Sequence, residues 1–253
     1  MILVFGKTGQ LSMELQRFPS IIALGREKFD LSEPKLCRDL IISYSPEAVI
    51  NAAAYTAVDN AEKEEDLAHL INASTPSIMA QTCAEINIPF IHFSTDYVFD
   101  GSGKNPWSTF DKGKPLNAYG RSKLSGEKGI QKTNATYAII RTSWVFSGYS
   151  SNFVKTILKK AESKDSLNII SDQIGGPTPA HNIAEACLEI IDQLIKDPKK
   201  KGIYHFCGSP SVSWAQFASE IFSQAGLLVD VIPIQSRDFF SLASRPLNSR
   251  LDC

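Results

Sequence analysis

Ile2-Leu3-Val4-Phe5-Gly6-Lys7-Thr8-Gly9-Gln10-Leu11-Ser12 opens the chain with an apolar run that breaks on a glycine turn. Four consecutive apolar residues predict a strand buried on both faces, as in a parallel sheet covered by helices. The turn that follows opens a helix. Glycine lets the backbone bend sharply and approach a ligand closely, and a helix N-terminus offers free N–H groups and a partial positive charge. A strand, a glycine turn and a helix in that order predict a pyrophosphate cradle on the turn of Gly6 and Gly9. The third small position of the pattern is Ser12 rather than glycine, which loosens the match slightly.

Outward from this turn, short apolar runs alternate with amphipathic stretches. Strands are predicted at Ile2–Phe5, Ile21–Leu24, Ala48–Asn51, Phe90–Ser94 and Ala138–Arg141, and helices near Gln10–Phe18, Pro34–Tyr44, Ala68–Glu85 and Tyr119–Gln131. Strand, crossover, strand repeated in this way is the doubly wound α/β pattern. After about Val145 the pattern loosens into Gly and Pro turns, with a helix near Ile183–Ile195, a strand near Ile203–Cys207 and a helix near Trp214–Ala225. The expected organisation is a dinucleotide-binding domain of residues 1–145 with roughly 182–207 returning to its sheet. Residues 146–181 and 208–253 then form a smaller mixed α/β substrate lobe.

A formal net charge of −1 gives no basic field for nucleic acid, and no polybasic run suggests a membrane surface. No apolar run approaches the ~20 residues that span a bilayer, and the N-terminus lacks the basic region of a leader. The five cysteines are scattered and never form Cys-x-x-Cys, so neither a disulfide framework nor a zinc site is expected. A cytoplasmic location fits that usage.

The second predicted strand ends in Gly25-Arg26-Glu27-Lys28. Arg26 and Lys28 suit a 2′-phosphate and lean the cofactor towards NADP(H), while Glu27 keeps NAD(H) open. Asp30 and Leu31 are expected beside the adenine, and Ala54, Tyr55 and Thr56 on the nicotinamide side.

Reducing a ketone with a nicotinamide needs a proton donor and a group to polarise the carbonyl. Tyr119 and Lys123 are spaced i,i+4, so they share one helix face. An ammonium near a phenol favours the phenolate and lowers its pKa. Alone the pair is a weak signal. Its weight comes from Ser94-Thr95-Asp96, which follows Phe90-Ile91-His92-Phe93 and so puts a hydroxyl at the carboxyl end of a strand, where open α/β sheets bind ligands. Thr95 is expected to hydrogen-bond the carbonyl oxygen and Asp96 to bind substrate hydroxyls.

With these segments the chain resembles the extended short-chain dehydrogenase/reductases of Rossmann fold, and within them the dTDP-4-dehydrorhamnose reductase family. The resemblance rests on Asn51-Ala-Ala-Ala-Tyr-Thr-Ala-Val-Asp59, Ser94-Thr-Asp-Tyr-Val-Phe99 and Tyr119-Gly-Arg-Ser-Lys123. It extends to Arg141-Thr-Ser-Trp-Val-Phe146, Asp172-Gln-Ile-Gly-Gly-Pro-Thr178 and Ser244-Arg-Pro-Leu-Asn-Ser-Arg-Leu251. It implies hydride transfer to a nucleotide-sugar ketone, with Tyr119, Lys123 and Thr95 catalytic. It also implies that Gln10 and Leu11 hold the cofactor, that Thr95, Asp96, Trp144, Asn152 and Arg245 lie against the sugar nucleotide, and that Asn72 is structural. Core packing for Trp144 and a surface salt bridge for Arg245 are the competing readings. Some relatives dimerise through a magnesium ion, and Glu14 matches one such position. The sequence stops at Leu251-Asp252-Cys253, before the C-terminal helix usual in the family, so no metal site is expected and a homodimer stays open.

Two other readings compete. A dehydratase or epimerase of the same superfamily carries Thr-Asp-Glu at the active strand, whereas Tyr97 stands in the third place here. A non-catalytic nucleotide-binding subunit is the other, and the intact Thr95, Tyr119 and Lys123 speak against it.

Overall fold

The computed structural model describes residues 1–253. In chain order the first half runs β1 (Ile2–Phe5), α1 (Gln10–Leu15), β2 (Ile21–Leu24), α2 (Pro34–Tyr44), β3 (Ala48–Asn51), α3 (Val58–Ala61) and α4 (Glu65–His69). A π-helical turn at Leu70–Ser74 leads into α5 (Thr75–Glu85), followed by β4 (Phe90–Thr95), α6 (Ala118–Gln131) and β5 (Tyr137–Thr142). Then come β6 (Val145–Phe146), α7 (Phe153–Ala161), β7 (Ser166–Ile170), β8 (Ile174–Gly175), β9 (Thr178–Pro179), α8 (Ala180–Lys196) and β10 (Gly202–His205). The chain closes with β11 (Val212–Ser213), α9 (Trp214–Gln224), β12 (Asp230–Ile234) and β13 (Asn248–Ser249).

Six parallel strands make the central sheet in the order β10-β5-β4-β3-β1-β2. The strand order reverses between β1 and β3, and such switch points open a crevice at the carboxyl ends of the strands. Successive side chains of a strand point to opposite faces, so each apolar run feeds two cores. Leu3, Phe5, Val49, Phe90 and Ile139 pack with Ile41 of α2 and Met79, Ala80 and Cys83 of α5. Ile2, Val4, Ile50, Ile91 and Ile140 pack on the other side with Ile183, Cys187, Ile191 and Leu194 of α8. α8 covers this face of the sheet, and β10 pairs in parallel register with β5.

Away from the sheet, Ile157 of α7, Leu167 of β7 and Ala218, Ile221 and Phe222 of α9 form a separate apolar cluster. No helix is long and apolar enough to cross a membrane.

Several elements differ from the sequence reading, three of them near the site. The first helix stops at Leu15, three residues short of Phe18, because the chain closes through 3-residue turns at Gln16–Phe18 to enter β2. The helix expected over Ala68–Glu85 begins at Glu65 and widens into the π turn, which carries the fully buried Asn72. The segment Phe153–Ala161, left unassigned by periodicity, is a helix capped by Asn152.

Candidate active site

Gly6 leaves β1 with φ of 122°, a conformation natural to glycine, and a Cβ there would stand 2.6 Å from the Ser12 hydroxyl. Ser12 thus occupies the space that glycine at position 6 leaves open, and its Oγ is buried with no hydrogen-bond partner. Gly9 caps α1 without a side-chain hydrogen bond, so the first-turn N–H groups have no side-chain partner. A cavity of about 440 Å³ opens here, lined by Gly6, Gly9, Arg26, Asp30, Leu31, Ala54, Tyr55 and Thr56 among others. Eight of the residues assigned to the cofactor from sequence therefore share one cavity.

Gln10 and Leu11 do not line that cavity. Leu11 packs into the apolar layer under α8. The Gln10 amide donates to the Val145 carbonyl at 3.2 Å, and its oxygen accepts from Asn152 Nδ2 at 2.9 Å. Asn152 itself caps α7, accepting from Lys155 N at 3.0 Å and donating also to Ser147 O at 2.8 Å. Both of its amide N–H donors are engaged in joining the first glycine turn to the segment after β6.

At the outer end, Glu27 folds its carboxylate across Gly25 to meet Lys7 at 3.1 Å. Asp30 accepts from both the backbone N–H and the hydroxyl of Ser32 at 2.8 Å, a local turn that also holds its carboxyl below the usual range. Arg26 is exposed at the cavity edge.

Asn72 ties this cavity to the helix bearing Tyr119. Its side-chain oxygen accepts from Tyr55 N at 2.9 Å, and its amide donates to Tyr55 O and to Ser122 Oγ, each at 3.0 Å. Ser122 in turn donates to the Tyr119 carbonyl at 2.7 Å. The widened π turn holds a buried amide between the loop after β3 and helix α6.

At the end of β4, Thr95 Oγ1 donates to Asp96 Oδ1 at 3.0 Å and accepts from Tyr97 N at 3.2 Å. Asp96 is 2% exposed, and its Oδ2 has no partner. Burial raises its carboxyl to about 6, against the lowering influence of the Ser249 and Thr95 hydroxyls. Tyr119 meets this pair from the first turn of α6, where the Asn117 side chain accepts from Gly120 N at 2.8 Å and caps the helix. Burial, then the Asp96 carboxylate, push the Tyr119 phenol above its ordinary range, while the Thr95 hydroxyl pulls the other way. Tyr97 stands edge-on to Tyr119, with ring centres 5.8 Å apart.

The electrostatic expectation for the Tyr–Lys pair is corrected here. The Tyr119 phenol is raised by burial and by the Asp96 carboxylate rather than lowered, and Lys123 is not among the groups that bear on it. Lys123 is 2% exposed and its Nζ lies 3.2 Å from Nε2 of His92, whose Nδ1 lies 3.2 Å from Asn51 Nδ2. Burial lowers Lys123 to about 8, with Glu127 opposing. Burial and then Lys123 hold His92 neutral. Sequence reasoning gave His92 no role. Its only signal is positional, because Asn51 and His92 are register partners across β3 and β4.

The remaining sequence candidates are engaged within the protein. Arg245 forms a fork on Asp59 at 2.7 and 3.2 Å. Trp144 sits at φ of 50° and stacks on Trp214, with ring centres 3.5 Å apart. A Cβ at Gly175 would stand 2.6 Å from that indole, which accounts for the glycine. Trp214, which the sequence reading used only as the start of a helix, is thus the partner of Trp144.

Residues 1–253 match the family described as the RmlD substrate binding domain. The dTDP-4-dehydrorhamnose reductase of Salmonella typhimurium is 39% identical over 99% of this chain and 89% of its own. The structure of a dTDP-4-dehydrorhamnose reductase from Clostridium acetobutylicum superposes with a TM-score of 0.93 at 36% identity, covering 99% of this chain and 89% of that one. A second structure, the Bacillus anthracis dTDP-4-dehydrorhamnose reductase in complex with NADP, gives a TM-score of 0.93 at 33% identity and the same coverage. With its glycine turn, its strand-end hydroxyl and its Tyr–Lys helix matched along the whole length, the chain belongs to the RmlD family of dTDP-4-dehydrorhamnose reductases.

Proposed function

We propose that this chain is an NADPH-dependent oxidoreductase that reduces the C4 ketone of dTDP-4-dehydro-β-L-rhamnose to dTDP-L-rhamnose in the cytoplasm. The observation that carries the reading is the cluster of Thr95, Asp96 and Tyr119 at the carboxyl end of β4, tied through Ser122 and Asn72 to the Tyr55 wall of the cavity. The cavity suits the adenosine and pyrophosphate part of a dinucleotide: Gly6 admits no side chain, and Gly9 leaves helix N–H groups for a pyrophosphate.

Residues 1–145 with roughly 182–207 hold the cofactor in this reading, through Gly6 and Gly9 at the pyrophosphate, Asp30 and Leu31 at the adenine, and Ala54, Tyr55 and Thr56 further in. Arg26 takes the 2′-phosphate, and the engagement of Glu27 by Lys7 favours that choice over a free ribose. Residues 146–181 and 208–253 complete the sugar site. When bound, NADPH supplies the hydride. Tyr119 holds the proton that the reduced oxygen needs. A buried phenol whose pKa stands above its ordinary value stays protonated at neutral pH, which suits a donor. Thr95 orients the carbonyl oxygen with its hydroxyl, and Asp96 Oδ2, buried and unpartnered, is free to accept from a sugar hydroxyl. In this reading Lys123, held by His92, binds the nicotinamide ribose. Elimination chemistry is disfavoured because Tyr97 takes the place of a base, and burial holds its phenol protonated.

The test is a spectrophotometric assay with dTDP-4-dehydrorhamnose and each nicotinamide in turn. NADPH oxidation is expected, and Tyr119→Phe is expected to lower kcat by about 10²- to 10⁴-fold while NADPH binding is retained. An absence of NADPH oxidation, or full turnover by the variant, overturns the reading.

A further inference from the structure

Three of the five cysteines, Cys37, Cys83 and Cys187, are buried in the layers that cover the sheet. The other two come together. Cys207 lies two residues past β10 and Cys253 is 46 positions further on, yet their Sγ atoms are 3.2 Å apart. Both thiols also point at one backbone oxygen, that of Leu251, at 3.6 and 3.8 Å.

Each partner is held by ordered structure. Trp107 N donates to Arg250 O at 2.9 Å, and Asp252 N donates to Trp107 O at 2.8 Å, which fixes the segment on either side of Leu251. Leu251 is buried with Val98 and Phe99. His205, the last residue of β10, lies 3.1 Å from the Asp252 carbonyl through Nδ1. The proximity of the two sulfurs is therefore set by the fold on both sides. The same segment carries Ser249, whose hydroxyl bears on the Asp96 carboxylate.

We propose that Cys207 and Cys253 form a reversible thiol–disulfide site, oxidised by a small organic disulfide of the glutathione class, whose closure fastens the segment after β13 to the end of β10. Cys253 is exposed and is the attacking group. The hydrogen bond between the two sulfurs holds Cys253 below the ordinary thiol range, which favours its thiolate. The Cys253 thiolate attacks one sulfur of the small disulfide, forming a mixed disulfide and releasing one small thiolate. Cys207 then gives its proton to that thiolate and attacks the Cys253 sulfur. The internal S–S bond forms, the mixed S–S bond breaks, and the second small thiolate leaves to be protonated by water. The two cysteines lose two electrons and two protons, and one small disulfide becomes two thiols. Closure asks the sulfurs to approach by about 1 Å. A reversible pair of this kind agrees with the scattered cysteine usage, because it is a redox site rather than a structural framework.

The experiment uses the full chain, incubated with oxidised glutathione and then unfolded for thiol counting and intact mass. Free thiols are expected to fall from five to three, with loss of two hydrogens and no glutathione adduct, and dithiothreitol is expected to restore all five. The melting temperature is expected to rise by roughly 5 °C on oxidation, because the bond closes a long loop. Cys253→Ser and Cys207→Ser should each abolish the internal bond and the rise. Five thiols after treatment, a stable glutathione adduct in place of the internal bond, or thiol loss that persists in both variants overturns the assignment. An internal bond without a change in melting temperature overturns the fastening.

Discussion

Replacing Asp96 by asparagine should make the protein more stable at neutral and alkaline pH, although it removes a group from the active site. The carboxyl is buried, and its value of about 6 lies above the ordinary 3.8. The folded protein therefore binds this proton more tightly than the unfolded chain does. The associated stabilisation is complete below the unfolded value and is lost as pH rises through about 6. A difference of about two pKa units, at about 1.4 kcal/mol each, gives about 3 kcal/mol of lost stability by pH ~8. Near pH ~4 the same expression leaves only about 0.5 kcal/mol. Asparagine is neutral throughout and keeps an oxygen to accept from Thr95, and any cost of burying its NH2 group is the same at both pH values. The variant should gain about 2.5 kcal/mol more at pH ~8 than at pH ~4. With an unfolding entropy of about 2.1 cal/mol/K per residue, that is about 5 °C in Tm. Calorimetry or urea unfolding of both proteins at the two pH values measures it. Equal shifts at both, or a variant stabilised more at the acid end, refute the argument. Turnover should fall in parallel, as expected where a site is built at the expense of stability.

Glu127→Gln should cost about 3–5 kcal/mol in denaturant unfolding, because it leaves Arg141 buried without its carboxylate, now held at 2.7 and 2.9 Å. Adding Arg141→Met should recover much of the loss. Asn72→Ala removes three hydrogen bonds and should cost about 2–3 kcal/mol, with a raised KM for NADPH because the Tyr55 backbone loses its anchor. Gly6→Ala puts a methyl group 2.6 Å from Ser12 Oγ at φ of 122° and should weaken NADPH binding at least about tenfold by fluorescence titration. Pairing it with Ser12→Gly should restore only part of the loss, because the backbone strain remains.

The central strands were legible to within a residue or so because Ile2–Phe5, Ala48–Asn51 and their neighbours are apolar without interruption, as burial on both faces requires. The phosphate turn was legible because glycine, strand and helix occur in a fixed order. The π turn was not, since its stability comes from Asn72 bonding to Tyr55 and Ser122, far away in sequence. The two-residue strands β6, β8, β9, β11 and β13 carry too little pattern to be read. The i,i+4 spacing of Tyr119 and Lys123 correctly put them on one helix but said nothing of which charges surround them. Asp96 beside the phenol and His92 beside the ammonium are tertiary placements. The same holds for Trp144, whose stacking partner Trp214 lies 70 positions on.

The return of β10 to the outer side of β5 also bears on how the chain is made. Residues 143–201 separate the two strands, so the hydrogen-bonding edge of β5 lies bare while they are being synthesised. At about 5–20 residues per second, that interval lasts about 3–12 s. The face of the sheet that α8 covers is exposed for much of the same time, with Val4, Ile50, Ile91 and Ile140 uncovered. A nascent chain that stalls in this stretch presents an unpaired parallel edge and an apolar surface together, the combination most prone to association with other chains. The synthesis of residues 143–201 is thus the stage at which this edge and this face lie uncovered together.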